Sequence, residues 1–356
     1  MSRGFKPDWV SAPGDTIGDV LRERDLTIAD FAKLMDRAIE DTSDLLEGRA
    51  AITIELARRL QRVLGASVEF WMSRDYQYRE DITRLQKTDS EWLSEFPVRD
   101  MVKFGWLPKA PHPADEITTL LRFFDMPSVS VWRKAYAELQ ELVAFRTSPT
   151  FHSRPAAVAA WLRQGELEAS EVACRPWNAD QFYESLQEIR RLTRLKDPQI
   201  FIPKLRRISA ESGVGVAVVR APTGCRASGA TRFLSDEKAL LLLSFRYLTD
   251  DHFWFTFFHE AGHLILHGRK LFLESADMPL DEEEQQANDF SAEILVPAEF
   301  VSEMLSLPKN GRQVIRFARR VGVSPGIIVG QLQHLGRIKH SQLNKLKRRY
   351  HWAVQP

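Results

Sequence analysis

The sequence predicts a mostly helical α+β protein assembled from more than one folding unit, and three observations carry that expectation. At 356 residues the chain is longer than one hydrophobic core usually organises. Apolar residues recur at helical spacing over most of it, while strand-like runs are confined to residues 214–219 and 239–245. Shortly after the second run comes an apolar helical stretch, residues 257–266, with His259 and His263 at i and i+4 on one face. A hydrophobic share of 44% and a charged share of 27% are ordinary for a soluble globular protein. No apolar run could span a bilayer, the first ten residues hold no signal-like region, and two cysteines, Cys174 and Cys225, suit a reducing compartment as packing residues. A cytoplasmic protein without a membrane partner is expected.

Residues 1–80 are expected to form the first domain, with four or five short helices between 13 and 80. Ile17, Val20 and Leu21 begin an amphipathic face, and Thr27 is placed to cap a helix over 28–35. A helix over 39–46 is closed by Gly48, and the stripe Leu56, Leu60, Val63, Leu64 is stopped by Gly65. Thr27, Phe31, Ala32, Leu45, Leu46, Gly48, Arg49, Leu56, Leu60, Gly65, Phe70 and Trp71 together form a pattern that resembles the helix-turn-helix domain of HigA-type antitoxins of the XRE family. The resemblance implies that the helix over 38–47 enters a DNA major groove. Charge argues the other way, because that helix presents Glu40, Asp41, Asp44 and Glu47, and Asp36 stands where the family's turn usually has Gly. DNA affinity comes from neutralising phosphates, and bases are read mostly by Arg, Lys, Asn and Gln. A protein contact is expected here instead, with a second copy as a homodimer or with a basic partner.

Residues 81–195 are expected to form a helical connecting region. Its aromatic residues (Trp92, Trp106, Phe123, Phe124, Trp132) suit a core, Pro108, Pro111 and Pro113 mark a break, and residues 147–150 suit a boundary. Helices follow over 155–167, 179–195 and 198–212. Gly213 then ends the helices, and between the two strands residues 224–231 read as a glycine-containing strand or turn.

Residues 196–310 carry the chemistry. His259 and His263 offer two imidazoles to one metal ion, and Glu260 between them can act as general base on a water held there. Twenty-one residues after His263, Glu284 and Asn288 lie one turn apart on a second helix ended by Pro297. Glu284 would complete a His2Glu zinc site while Asn288 bonds a ligand histidine. The run Glu282, Glu283, Glu284 would equally suit a solvated helix start. His267, a turn beyond His263, is expected beside the site or at the surface rather than on the metal.

Residues 255–263, followed by Glu284, Ala287, Asn288, Phe290, Ser291, Ala292, Leu295 and Pro297, resemble the ImmA/IrrE-type metallopeptidases, over roughly residues 200 to 335. Family members usually have Ala in place of Ser291 and Met in place of Val296. The resemblance implies a zincin-like domain with a thermolysin-type active-site helix and a small sheet. It further implies an intracellular zinc endopeptidase that cleaves a repressor, another regulator or a toxin–antitoxin partner. Tyr247, Arg226 and His267 are candidates for an additional oxyanion donor.

The final segment, 311–356, reads as a basic helical extension. Residues 309–356 hold 11 Lys and Arg and no Asp or Glu, against 14 acidic and 10 basic residues over 13–80. Residues 314–325 and 327–332 resemble a second helix-turn-helix start, of the kind that in this family often packs on the protease. Arg316, Arg319, Arg320, Lys345, Lys347 and Arg348 are candidates for nucleic-acid contact. The alternative to a peptidase is therefore an antitoxin-like, DNA-binding transcription regulator in which the zinc site is structural or sensory.

Overall fold

The computed structural model describes residues 10–110, 112–139, 153–268, 270–274 and 282–352. The expected boundary at 147–150 lies outside them. The chain divides into two compact units, residues 1–94 and 95–356.

In the first unit, α1 (Pro13–Glu23), α2 (Ile28–Leu34), α3 (Ile39–Leu46) and α4 (Ile54–Leu64) form where the apolar periodicity places them. They enclose Ile17, Leu21, Phe31, Met35, Leu45, Leu60 and Trp71. The Thr27 hydroxyl accepts the Asp30 amide at 3.1 Å, a capping interaction at the start of α2. Gly48 and Gly65 have φ of 73° and 81°, the left-handed conformation that releases the chain from a helix without Cβ strain. The fifth helix departs from the expectation of short elements: α5 runs from Val68 to Glu95, 28 residues. Neither Gly nor Pro interrupts it, and the pairs Asp75–Arg79 and Asp81–Arg84 at helical spacing support its surface.

The acidic helix is α3. Arg49, just beyond its end, pairs with Asp44 at 2.7 Å and with Glu47, so this cation is engaged by the carboxylates beside it. Asp36, in the turn between α2 and α3, has φ of 53°. That conformation suits Gly, since an L side chain is strained in it and Asp tolerates it only partly. Asp36→Gly is therefore expected to stabilise the chain by about 0.5 kcal/mol, the relief of strain exceeding the extra freedom of the unfolded glycine. Chemical denaturation of the two proteins measures this.

The second unit begins with α6 (Val98–Lys103), α7 (Pro113–Phe124) and α8 (Val129–Ala135). Phe96, Phe124, Trp132 and Tyr136 pack edge-to-face or stacked with centroids 4.9 to 5.6 Å apart, so these aromatic residues are core. Helices α9 (Pro155–Ser170), α10 (Ala179–Leu192) and α11 (Pro198–Ala210) lead into the sheet.

Strands β1 (Val214–Val218), β2 (Gly229–Ser235), β3 (Lys238–Leu243) and β4 (Phe272–Glu274) lie in the order β1-β3-β2-β4. β1 pairs parallel with β3, whereas β2 is antiparallel to both β3 and β4. β3 reads as an unbroken apolar run because both faces are covered. Leu241 and Leu243 join the core that contains Phe257 and Phe258, while Leu242 lies against Gly165 of α9.

Helix α12 (Asp250–Leu266) carries the two histidines and is buried almost all round by the sheet, by α13 (Glu282–Leu295) and by the C-terminal helices. After α14 (Ala298–Ser306) come α15 (Gly311–Val321) and α16 (Pro325–His334). Val314, Phe317, Val321, Ile327, Ile328 and Leu332 belong to the same core as α12. The helix-turn-helix-like segment thus packs into the body that holds the candidate site. Among the described residues no helix is long and apolar enough to cross a membrane.

Candidate metal centre

The site depends on how closely α12 and α13 approach. A Cβ at Gly262 would meet the Phe290 ring at 3.1 Å and the Ala287 Cα at 3.3 Å, so the helices come together where both sequences are small. Ser291 joins the seam, its buried hydroxyl donating to the Phe255 carbonyl at 3.0 Å, so the polar group is satisfied inside the contact.

This contact delivers Glu284 to the histidines. Ligand atoms of His259, His263 and Glu284 all lie within 4.8 Å of one another, and the three residues are buried. The two Nε2 atoms are 3.0 Å apart, and Glu284 Oε2 is 3.1 Å from His259 Nε2 and 3.6 Å from His263 Nε2. Of the three successive glutamates only Glu284 turns inward. Glu283 pairs with Lys270 at 2.6 Å, and Glu282 accepts from Gln286 at 3.3 Å.

The far side of each imidazole is also held. His259 Nδ1 lies 3.0 Å from Asn288 Oδ1. His263 Nδ1 lies 2.9 Å from His267 Nδ1, and His267 Nε2 lies 2.9 Å from Gln286 Oε1. With both Nε2 lone pairs turned to the common point, Nδ1–H of His259 donates to Asn288 and Nδ1–H of His263 donates to His267. His267 in turn donates to Gln286. Phe272 stacks on the His263 ring, centroids 4.0 Å apart at 16°.

Electrostatics favour the ligand forms. Burial pushes the His263 imidazole below its ordinary value, and the neighbouring His259 and His267 act in the same direction against Glu284. Burial alone would raise the Glu284 carboxyl, but hydrogen bonds and charge from His259 and His263 outweigh it and hold the group at about 2. A neutral imidazole and an ionised carboxylate are what a metal ion requires.

Glu260 is fully buried on α12 between the two histidines in sequence. Against it lies Gly229, the first residue of β2: a methyl group there would press on the Glu260 carboxylate and come 2.7 Å from Thr256 Cγ2. Gly229, Phe272 and Gln286 carry no signal that sequence reading could have used. Tyr247 is 38% exposed, its ring 4.4 Å from that of His252, and it shares a cavity with Asn288. Arg226 is tied through its backbone to Ser153 and Arg246 and does not line that cavity.

The basic segment divides in two. Lys347 is turned inward onto Asp251 at 2.5 Å with its side chain 12% exposed, and Arg348 donates to the Thr193 and Leu195 carbonyls, both at 2.9 Å. Lys347 is therefore a correction to the set of candidate nucleic-acid contacts, because Asp251 and Gln333 already engage its buried ammonium, while Arg348 is half-buried with its Nη1 held by the two carbonyls. Arg320 pairs with Glu303 and lies over the Phe317 ring at 5.5 Å. Arg316, Arg319 and Lys345 are exposed.

Comparison with known proteins agrees with this geometry. A 61-residue stretch, 17% of the chain, is 39% identical to an uncharacterized HTH-type transcriptional regulator of Escherichia coli (strain K12), YddM, and covers 65% of that protein's length. Residues 211–332, which run from the end of α11 to α16 and include His259, Glu260, His263 and Glu284, match the IrrE N-terminal-like domain of the M78 peptidases. The chain thus contains one stretch similar to the M78 metallopeptidase domain and another similar to a helix-turn-helix regulator.

Proposed function

We propose that this protein is a zinc-dependent endopeptidase that cleaves a regulatory protein, a repressor or a toxin–antitoxin partner, in the cytoplasm. The observation that carries this reading is the buried convergence of His259, His263 and Glu284 with Glu260 on the same helix. Two imidazoles and one carboxylate, each imidazole oriented from behind by a hydrogen bond, form a donor set that suits zinc and leaves a coordination position open. Bound there, zinc supplies Lewis acidity towards the scissile carbonyl and the attacking water. Glu260 takes the proton of that water and returns it to the leaving amine. Asn288 and His267 hold the ligand rings in register, and β4, the outer strand among the described residues, offers its edge to an extended substrate. The similarity to a helix-turn-helix regulator supports a regulatory setting for the substrate.

The same similarity favours a second reading, in which the chain is a DNA-binding or antitoxin-like regulator and the metal centre is structural or sensory. The charges of α3 weigh against DNA reading by that helix, since Glu40, Asp41, Asp44 and Glu47 would face phosphates while Arg49 is paired internally.

Elemental analysis of the purified chain is expected to find one zinc per molecule, lost together with peptidase activity on chelation. Absence of stoichiometric metal would sink the enzyme reading. Glu260→Gln is expected to retain the metal and lower cleavage by roughly 10²- to 10⁴-fold, the usual contribution of a general base. Gly229→Ala should also keep its zinc yet lose at least about tenfold in kcat, because the added methyl displaces Glu260 from its position. In gel-shift titrations against DNA from its own promoter, the full chain is expected to show only weak, salt-sensitive binding without sequence preference. A specific complex abolished by changing Ser43 would instead favour the second reading.

A further inference from the structure

The cavity of about 330 Å³ beside the metal centre continues into a second one of about 490 Å³. Phe255, Asn288, Gln331 and His334 line both, so the two form one groove that starts at the residue holding the ligand His259. Its floor follows from helical spacing. Glu284, Asn288 and Ala292 succeed one another at intervals of one turn on α13, and Val296 follows just past the end of the helix. The row that supplies a metal ligand therefore runs on as the floor of the groove. Ala292 stands about 12 Å along the axis from Glu284, a distance that roughly four residues of extended peptide cover. Val301 and Met304 of α14, with Leu335 left 47% exposed after α16, complete an apolar lining.

The rim is the neighbouring row Gln285, Asp289 and Glu293, all exposed. Among the described residues no Lys or Arg lines the second cavity, and His334 on α16 is its one titratable group besides the two carboxylates. Asp289 accepts from the neutral Gln285 at 2.9 Å, and no described cation pairs with either carboxylate. Local physics disfavours this arrangement. Like charges one turn apart repel. Glu293 also lies in the last turn of α13, at the negative end of the helix, where no basic residue offsets it. A cation held over the rim relieves both. The chain's net charge of +1 draws no cations by itself, so such a preference belongs to the groove.

Resting on the peptidase reading, we propose that this groove holds the stretch of substrate that flanks the scissile bond. It selects a segment that sets apolar side chains on the floor and a Lys or Arg over Asp289 and Glu293. The substrate class is therefore a protein cleaved close to a segment both apolar and basic. Asp289 and Glu293 are the specificity-determining residues, and Ala292, Val296, Val301 and Leu335 supply the apolar contact.

The experiment uses the full-length chain carrying Glu260→Gln, so that peptides bind without turnover. The probes are three peptides blocked at both ends, Leu-Xaa-Ala-Leu-Xaa-Ala with Xaa as Lys, Gln or Glu, followed by ligand-observed NMR. At low salt the Lys peptide is expected to bind roughly three- to tenfold tighter than the Gln peptide, with the Glu peptide weakest. The preference should fade in about 0.5 M salt. Changing Asp289→Lys and Glu293→Lys together should reverse the order. Both side chains are exposed and cations suit that end of the helix, so the fold is retained. Equal binding of the three peptides, binding of none, or a Lys preference that survives the double change overturns the proposal. Self-association of the free chain that the double change abolishes makes a second copy the occupant and overturns it too. The companion measurement is cleavage, by the zinc-loaded chain with Glu260 intact, of quenched peptides that carry Lys, Gln or Glu at each position in turn. A Lys preference in binding by a chain that cleaves no peptide keeps the groove and rejects the peptidase reading. Cleavage indifferent to charge at every position keeps the peptidase and rejects the groove.

Discussion

The packing of α12 against α13 at Gly262 is the constraint on which the rest of the second unit depends. Two imidazoles at i and i+4 need a carboxylate from elsewhere, and a helix can bring one only if the backbones approach to within contact of Ala287 and Phe290. Burial then turns the three groups into a set. Each is too polar to remain inside alone, and each is held by the others, by Asn288 or by the chain His267–Gln286. Phe272 closes one side by stacking on His263, and Gly229 leaves room for Glu260 on another.

The N-terminal end of α12 poses a similar problem and meets it with the C-terminal segment. Asp250 and Asp251 favour the positive end of the helix dipole, but both are buried. Asp250 accepts from the Ser324 hydroxyl at 2.7 Å and from the Arg348 amide at 2.9 Å, Asp251 pairs with Lys347, and Thr249 bridges to Arg349. Part of the basic tail is therefore an internal counter-charge that fixes the histidine-bearing helix α12. Gly326 and Gly330 on α16 are small because the two aspartates occupy the space a side chain would need. The same arrangement forms one wall of the cavity beside the metal centre.

The first unit shows how a fold signal and a charge signal separate. Caps at Thr27 and Thr53 and glycine stops at Gly48 and Gly65 build a helix-turn-helix-like core whatever the surface carries. The surface of α3 carries carboxylates, and Arg49 just beyond it is bound to Asp44 and Glu47. A scaffold's packing residues do not dictate a nucleic-acid face, because the two sets lie on opposite sides of short amphipathic helices.

Much was legible in the sequence, since local rules govern it. Helix starts and stops followed from capping residues and glycines, β1 and β3 from β-branched and leucine runs, and the His259–Glu260–His263 face from helical geometry alone. Glu284 was singled out by its spacing from Asn288, and the structure turns it inward. Other features were not legible because they depend on which distant segments meet. The short strand β4 has too few residues to show a pattern, yet it brings Phe272 onto His263. The length of α5 exceeds what local stop signals suggested. Lys347 and Arg348 could not be told from a solvated basic face by charge alone, since only tertiary contacts reveal the carboxylate and carbonyls they serve. Sequence by itself determined the elements and the donor types, through local backbone preference and side-chain chemistry. Tertiary structure alone decided which donors share one point and which charges face inward, because burial is a property of the whole chain.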